Sequence, residues 1–171
     1  AILVIKDGHV IAENYRAPFN KDSKHLGWSM TKSLTNALIG ILVKQGKLSL
    51  DQDNLMAAWK DTARTKITLN DLLQMNSGLA WEENYAKACN ATEMLFEEAA
   101  MGVYAAAQDM EAIAGEKWYY SSGTSNLLSE IIRRQFDSDE VYWNFPQKAL
   151  FDNISASSFR IEADASGTYV G

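Results

Sequence analysis

A serine and a lysine three residues apart, Ser29 and Lys32, form the pair with the clearest chemical potential in this 171-residue sequence. Residues three apart in a helix lie on the same face, so their hydroxyl and amine would be neighbours. Serine is a weak nucleophile unless a base lies beside it, and a neutral lysine can accept the serine proton. Tyr120, which precedes a second helical segment, could carry the same proton. Together these side chains predict nucleophilic chemistry at Ser29.

The Ser-x-x-Lys spacing by itself is a weak signal, because many serines have a lysine nearby by chance. In the competing interpretation, Ser29 caps a helix and Lys32 is an exposed cation of its first turn. The dipole of a helix disfavours a cation near its N-terminus, which makes that position less natural for an ordinary lysine. On this motif alone, both interpretations stay open.

The elements that must position these residues begin with a hairpin. An apolar run at 2–6 and a strand-like run at 10–15 flank Asp7 and Gly8, and Asp-Gly between such runs is a strong hairpin signal. The order of two strands followed by helical segments predicts an α+β fold.

From Ser29 onward, apolar residues recur every three or four positions, which predicts helices. We expect Gly46 to end the first helix, a capping box at 68–71 to start a short one, and Gly102 to separate two more. A helix over 139–150 should bend or restart near Pro146. The predicted apolar stripe of the first helix is Leu34, Ala37, Leu38, Ile41 and Leu42, and that of a later helix is Leu127, Leu128, Ile131 and Ile132. On the solvent side of this later helix, Glu130 should pair with Arg133 or Arg134.

Composition narrows the classes of function. Hydrophobic residues make up 47% and charged residues 22% of the chain, which argues against disorder. The net charge is −6 and no Lys/Arg-rich run occurs, so nucleic-acid binding and polybasic membrane attachment are disfavoured. The sequence contains neither a signal-peptide pattern nor an apolar stretch long enough to span a bilayer. It begins inside a predicted strand, so a leader upstream of residue 1 stays open.

Three segments of the chain carry a resemblance to a known family. Residues 27–35 (Gly-Trp-Ser-Met-Thr-Lys-Ser-Leu-Thr) resemble the nucleophile segment of the serine β-lactamase and penicillin-recognising superfamily. The closest likeness is to the branch that holds class C β-lactamases, D-amino peptidases, esterases and nylon-oligomer hydrolases. Residues 72–79 are similar to its Leu-Leu-x-x-x-Ser-Gly-Leu segment, and residues 118–123 resemble its Tyr-x-Asn region.

The resemblance implies a β-lactamase/transpeptidase-like α+β fold, with an antiparallel sheet packed on a largely helical region. It implies that residues 1–171 form an incomplete catalytic domain: a strand hairpin and loop over 1–27, mostly helices over 28–150, and the start of the return to the sheet over 151–171. The family's third motif, a Lys/His-Ser/Thr-Gly triplet on a later strand, does not occur. We therefore expect a downstream C-terminal portion of the same protein.

The resemblance also implies roles for residues of the site. Ser29 is the implied acyl-accepting nucleophile, Lys32 its activating partner and Tyr120 the proton shuttle; which of the last two is the base stays open, as in related Ser-x-x-Lys enzymes. Ser122 stands where β-lactamases of this kind usually carry asparagine, which looks more like the esterase and nylon-oligomer branch. Trp81 either lines a substrate cleft or packs in the core. Neither a metal nor an organic cofactor is implied.

Other reactive side chains favour ordinary structural interpretations. His9 and His25 lack metal-ligand spacing. Cys89 is the only cysteine, and without a nearby histidine it is typical of a small structural residue. Glu82 and Glu83 are adjacent acids that point in different directions on a helix, so we predict solvated surface there.

The leading hypothesis is a serine hydrolase that cleaves an amide or ester bond through a Ser29 acyl-enzyme. The substrate would be a small molecule: a β-lactam, a D-amino peptide, a short amide oligomer or an ester. A non-catalytic penicillin-recognising sensor and a structural helical domain with accidental motifs are the alternatives. The compartment stays open, with a slight preference from the resemblance for a periplasmic or secreted protein.

Overall fold

The computed structural model describes residues 1–60 and 63–171, and in these ranges two strands are followed by helices. This order confirms the predicted α+β class, with an N-terminal antiparallel hairpin and a largely helical remainder. The strands are β1 (Ile2–Lys6) and β2 (His9–Asn14), and the α-helices are α1 (Thr31–Lys44), α2 (Leu69–Leu73), α3 (Asn90–Phe96), α4 (Met101–Ala106), α5 (Ser122–Arg133) and α6 (Asp139–Pro146).

The hairpin has the predicted turn. Its strands pair antiparallel from Ile2 opposite Asn14 to Lys6 opposite His9. The turn residues Asp7 and Gly8 have φ angles of 52° and 77°, and a two-residue hairpin turn of this kind requires positive φ at both positions. Every strand residue is exposed to solvent, so the described side chains of the hairpin lie outside the helical core.

Helix α1 positions the Ser29–Lys32 segment. A 3-10 turn over Trp28–Met30 leads directly into it, and it ends before Gly46, which has φ 72° as a helix terminator often does. The buried face is rotated relative to the predicted stripe, because the helix packs between α5 and the segment after α6. Its buried residues are Thr35, Leu38, Ile39 and Leu42, whereas Leu34, Ala37 and Ile41 are only partly buried.

Helix α5 is the centre of the fold. All residues from Ser122 to Ile132 are buried, polar ones included, because other helices surround it. Glu130 is only 9% exposed; it pairs with Arg134 at 2.8 Å and accepts a hydrogen bond from Thr168 at 3.1 Å. The prediction that Glu130 lies on the solvent side is therefore wrong.

The reason is the close approach of α4. Gly102 lies within α4 rather than between two helices as predicted, and a Cβ at this position would stand 2.6 Å from the backbone oxygen of Asn126 in α5. Only glycine allows the two backbones to approach so closely. The interruption between α3 and α4 falls instead at residues 97–100.

The segment after α2 fixes the start of α5. The predicted capping box is present. The Asp71 carboxylate accepts the backbone N–H of Thr68 at 2.9 Å, and the Thr68 hydroxyl oxygen accepts that of Asp71 at 3.1 Å. Beyond the helix, Met75 has φ 59°, and its carbonyl accepts the backbone N–H of Tyr119 at 2.8 Å. This bond ties the chain just before α5 to the turn after α2, next to Tyr120.

The C-terminal residues return across α4 and α5. Helix α6 ends at Pro146, near the predicted bend or restart, and a π-helix over Gln147–Phe151 follows it directly. Asp164 accepts the backbone N–H of Met101 at 2.9 Å, and Asn126 accepts that of Gly171 at 3.0 Å. Within the described ranges, no helix combines the length and apolar character that crossing a bilayer would require.

Candidate active site

Ser29 and Lys32 lie at the start of α1, where their side chains touch. Ser29 belongs to the 3-10 turn before the helix, and Lys32 is the second helical residue. Their Oγ and Nζ atoms are 3.3 Å apart. Trp28, just before the serine, has φ 46°, a left-handed conformation that is uncommon for a residue with a side chain. The position before α1 is Met30, which makes no side-chain cap, so Ser29 does not act as the helix cap of the competing interpretation.

Tyr120 reaches the same point from the other side. Its hydroxyl donates a hydrogen bond to Ser29 Oγ at 2.7 Å, across 91 positions of sequence. The Nζ of Lys32 lies 5.3 Å from the centre of the tyrosine ring. The structure thus brings together the three side chains that the sequence singled out, with the serine oxygen between an amine and a phenol. This geometry allows a proton to leave Ser29 towards either neighbour.

Ser122, the first residue of α5, joins the cluster through Lys32. Its hydroxyl oxygen accepts a hydrogen bond from Lys32 Nζ at 3.3 Å and donates its own hydrogen to Glu83 Oε1 at 2.7 Å. The backbone N–H of Ser122 donates to the other carboxylate oxygen of Glu83 at 2.8 Å. Ser122 therefore links the lysine to a carboxylate.

Glu83 is the residue of the site that sequence reasoning missed, and the prediction of solvated surface is wrong for it. Besides Ser122, its carboxylate accepts the indole N–H of Trp81 at 3.0 Å and the hydroxyl of Tyr85 at 2.7 Å. Its neighbour Glu82 is exposed, as predicted, and pairs with Lys87.

A periodic signal was available in the sequence. Residues 81–84 lie outside the helices and strands, and Trp81 and Tyr85 stand two positions before and two positions after Glu83. Both of these aromatic residues, at a spacing of two from the glutamate, donate a hydrogen bond to its carboxylate.

The hydrogen bonds to Glu83 determine the charge of its carboxyl group. Burial alone would raise its pKa, but the hydrogen bonds donated by Ser122, Tyr85 and Trp81 outweigh burial and lower the pKa below its usual range. Burial and the hydrogen bond to Glu83 raise the pKa of the Tyr85 hydroxyl, so the tyrosine remains a donor. Glu83 is accordingly a carboxylate at neutral pH.

Trp81 occupies a packing position. It is 7% exposed, and its ring lies against Gly123 and meets the edge of Tyr104 at a centroid distance of 6.4 Å. This burial favours the packing interpretation over a cleft wall, and its contact with the site runs through the indole N–H on Glu83.

The cluster opens to solvent on one side. Tyr120 is 39% exposed, and the neighbouring Trp28, Met30 and Trp118 are each about 70% exposed. Apolar and aromatic side chains with a few converging polar groups are typical of ligand sites. A small molecule can therefore approach Ser29 from this side.

Other candidate residues lie apart from this cluster. Cys89 is buried before α3, where its backbone N–H donates to Thr92 Oγ1 at 2.9 Å, in line with a structural role. The His25 ring lies tilted against the Phe19 ring at a centroid distance of 5.0 Å, and His9 lies in the exposed hairpin. Within residues 1–60 and 63–171, no group of three or more His, Cys, Asp or Glu side chains is arranged to hold a metal ion.

The fold is β-lactamase-like, and comparison with known proteins gives the same family. The Beta-lactamase family model matches residues 1–161, and the chain belongs to this family.

Two relatives refine the comparison. The chain is 42% identical over 48 residues to a 6-aminohexanoate-dimer hydrolase of Paenarthrobacter ureafaciens, a match that covers 28% of the chain and 12% of that protein. A solved structure described as "Putative 6-aminohexanoate-dimer hydrolase from Bacillus anthracis" aligns with a TM-score of 0.71 at 19% identity, over 86% of this chain. The alignment covers 42% of that structure, so the chain corresponds to less than half of its length.

Proposed function

We propose that the protein containing this chain is a serine hydrolase that cleaves an amide or ester bond through an acyl-enzyme on Ser29. The observation that carries the proposal is the contact of Ser29 Oγ with both Lys32 Nζ, at 3.3 Å, and the Tyr120 hydroxyl, at 2.7 Å. A serine nucleophile needs a base within hydrogen-bond reach, and two candidates lie there. Membership of the Beta-lactamase family supports the same reaction class.

The proposed reaction has two halves. In the first, Ser29 Oγ attacks the substrate carbonyl, its proton passes to Lys32 or Tyr120, and that proton then goes to the departing amine or alcohol. In the second, water gives its proton to the same pair and attacks the acyl carbon, and Ser29 leaves with a proton. The geometry accommodates either residue as the base.

Stabilisation of the oxyanion is the part of the reaction that we assign to residues beyond 171. In the resembling family, a Lys/His-Ser/Thr-Gly triplet on a later strand lines the site. Loss of one oxyanion donor costs about 3 to 4 kcal/mol of transition-state stabilisation. We therefore expect residues 1–171 alone to turn over substrate poorly, and the experiments below use the full-length protein.

Short linear amides and simple esters are the substrates we propose, ahead of β-lactams. Both relatives are named for hydrolysis of the 6-aminohexanoate dimer, which makes this dimer the first amide to assay. Ser122 stands where β-lactamases of this kind usually carry asparagine, and a hydroxyl lacks the separate donor and acceptor of an amide. Recognition of the side-chain amide of a β-lactam is weakened accordingly.

Intact-mass spectrometry with a p-nitrophenyl ester, the 6-aminohexanoate dimer and a penicillin tests the proposal. We expect turnover of the ester or the dimer, with transient acylation that peptide mapping assigns to Ser29. Ser29→Ala should abolish both signals. Ser33→Ala changes an exposed serine one turn further along α1 and should leave them unchanged.

Two results would contradict the proposal. A lasting adduct without turnover would indicate the sensor alternative. Full activity of Ser29→Ala would indicate that the motif is accidental.

A further inference from the structure

Four hydrogen bonds converge on the carboxylate of Glu83, and Ser122 donates two of them. Oε1 accepts the hydroxyls of Ser122 and Tyr85, each at 2.7 Å, and Oε2 accepts the backbone N–H of Ser122 at 2.8 Å and the indole N–H of Trp81 at 3.0 Å. So many donors fix the position of the carboxylate closely.

The bond to Glu83 decides which way the Ser122 hydroxyl points. A serine hydroxyl carries one hydrogen and two lone pairs. Its one hydrogen lies on Glu83, so only lone pairs remain for other partners, and one of these accepts a hydrogen bond from Lys32 Nζ at 3.3 Å. If the hydroxyl turned round, Glu83 would lose this donor, and whenever Lys32 is protonated the hydroxyl hydrogen would face its N–H groups and the contact would become repulsive.

We propose that Glu83 is a positioning residue, which by orienting the Ser122 hydroxyl fixes the amine of Lys32 against Ser29. This inference rests on the proposed function. Neither Ser29 nor Tyr120 is among the hydrogen-bond partners of Glu83. Glu83 therefore acts on the reaction through Ser122 and Lys32.

Charge reinforces the hydrogen-bonded chain. The Lys32–Ser122 distance is 3.3 Å and the Ser122–Glu83 distance is 2.7 Å, so Nζ and Oε1 are at most about 6 Å apart, within the range over which opposite charges interact. Lys32 forms no ion pair within the residues that the structure describes. Glu83 is the carboxylate that this chain of bonds connects to it, and its attraction holds the lysine ammonium towards Ser122 whenever the amine is protonated.

The arrangement also determines which hydrogen bonds the Ser122 hydroxyl can make with a substrate. With its hydrogen on Glu83, the hydroxyl can accept a substrate N–H but cannot donate to a substrate carbonyl. The site at Ser122 therefore favours a group that donates, such as the N–H of a linear amide.

A double-mutant cycle in the full-length protein tests the inference, with p-nitrophenyl acetate as the substrate. The variants are Glu83→Gln, Ser122→Ala and the double variant. Glutamine keeps the shape of the side chain but places an amide where the carboxylate accepts donors. We expect each single variant to lower kcat roughly 10- to 100-fold, the range for a lost hydrogen bond to a charged group, with KM within about twofold.

The cycle separates positioning from a merely structural role. If Glu83 acts through Ser122, then adding Glu83→Gln to Ser122→Ala should lower kcat no further, because the link is already broken. Additive losses would overturn the inference, and so would an unchanged kcat of Glu83→Gln. The matched control is Glu82→Gln, which alters the adjacent exposed glutamate and should leave kcat unchanged.

Two further outcomes complete the test. If Glu83→Gln fails to fold, Ser122→Ala decides alone, because full activity without the Ser122 hydroxyl would overturn the inference. If the unmodified full-length protein neither turns over the ester nor is acylated at Ser29, the proposed function fails and the inference falls with it. Unchanged activity of the Glu83→Gln and Ser122→Ala variants would overturn the inference and leave the proposed function standing.

Discussion

The backbone of Gly123 lies directly against the indole ring of Trp81, so that a Cβ at this position would stand 2.6 Å from Cη2 of the ring. Gly123 follows Ser122 at the start of α5, and the same indole donates its N–H to Glu83 at 3.0 Å. Because residue 123 has no side chain, the ring can lie against the start of α5 and its N–H can reach the carboxylate. Packing and site geometry are therefore coupled at this contact.

Replacing Gly123 with alanine should destabilise the protein, because the added methyl group must displace the buried ring of Trp81. Overpacking of this kind costs roughly 1 to 3 kcal/mol in the free energy of unfolding, which urea denaturation measures. Gly40→Ala is the matched control. It adds a methyl group in the middle of α1 with nothing within 4 Å and should stabilise by about 0.5 to 1 kcal/mol. Equal stability of the two variants would contradict the coupling.

Removing the hydroxyl of Tyr120 should lower activity strongly. Tyr120→Phe keeps the ring but deletes the hydrogen bond to Ser29, and loss of a general acid or base typically costs about 10²- to 10⁴-fold in rate. The neighbouring Tyr119 is 38% exposed against 39% for Tyr120, which makes Tyr119→Phe a closely matched control. Steady-state hydrolysis of a p-nitrophenyl ester measures both, and equal activity of the two variants would remove Tyr120 from the mechanism.

Removing the amine of Lys32 should have an effect of similar size. Lys32→Met keeps most of the length and apolar stem of the side chain but loses the contacts with Ser29 and Ser122. We expect kcat/KM for the same ester to fall about 10²- to 10⁴-fold. Lys44→Met, at the exposed C-terminal end of α1, should retain activity. A Lys32→Met protein that is acylated at the normal rate would show that Tyr120 alone activates the serine.

The lowered pKa of Glu83 predicts a defined pH dependence of stability. Burial opposes the shift but the hydrogen bonds from Ser122, Tyr85 and Trp81 exceed it, so the folded pKa lies below the usual 4.5. The unfolded chain then binds this proton at higher pH than the folded one. The carboxylate's contribution is therefore complete above the usual pKa and is lost as pH falls through the lowered one.

Urea unfolding of the full-length protein and of Glu83→Gln at several pH values measures this contribution. The difference in unfolding free energy between the two proteins should be constant near neutral pH and should shrink as the pH falls below the usual pKa of 4.5 and through the lowered one. A difference that grows as the solution is acidified would mean that the pKa is raised and would contradict the hydrogen-bond assignment.

Local sequence rules predicted the parts of the site that depend on one helix or one turn. The contact of Ser29 with Lys32 follows from their spacing, and the hairpin turn at Asp7 follows from its residue type. Tyr120 was predicted through family resemblance, because nothing local indicates that a residue 91 positions away reaches the serine.

Local sequence rules failed to predict the partial burial of Glu83 and the burial of Glu130 in helix α5. Adjacent acids are usually solvated, and the donors that hold Glu83 come partly from Ser122, 39 positions further along. The helical stripe of α5 was predicted, but Gly102 brings α4 onto the face that carries Glu130, which buries a residue expected in solvent. Both differences arise from tertiary packing, which no short window of sequence contains.

The long separations within the site have a consequence for the chain as it folds. Ser29 and Tyr120 are 91 positions apart, and Lys32 and Ser122 are 90 apart, so the cluster exists only while α1 and the start of α5 are docked. A denatured or internally cleaved chain keeps every reactive group but scatters them. The rate at which an acylating reagent modifies Ser29 would then report on the native state. This rate should fall to zero at the same urea concentration at which these two helices separate.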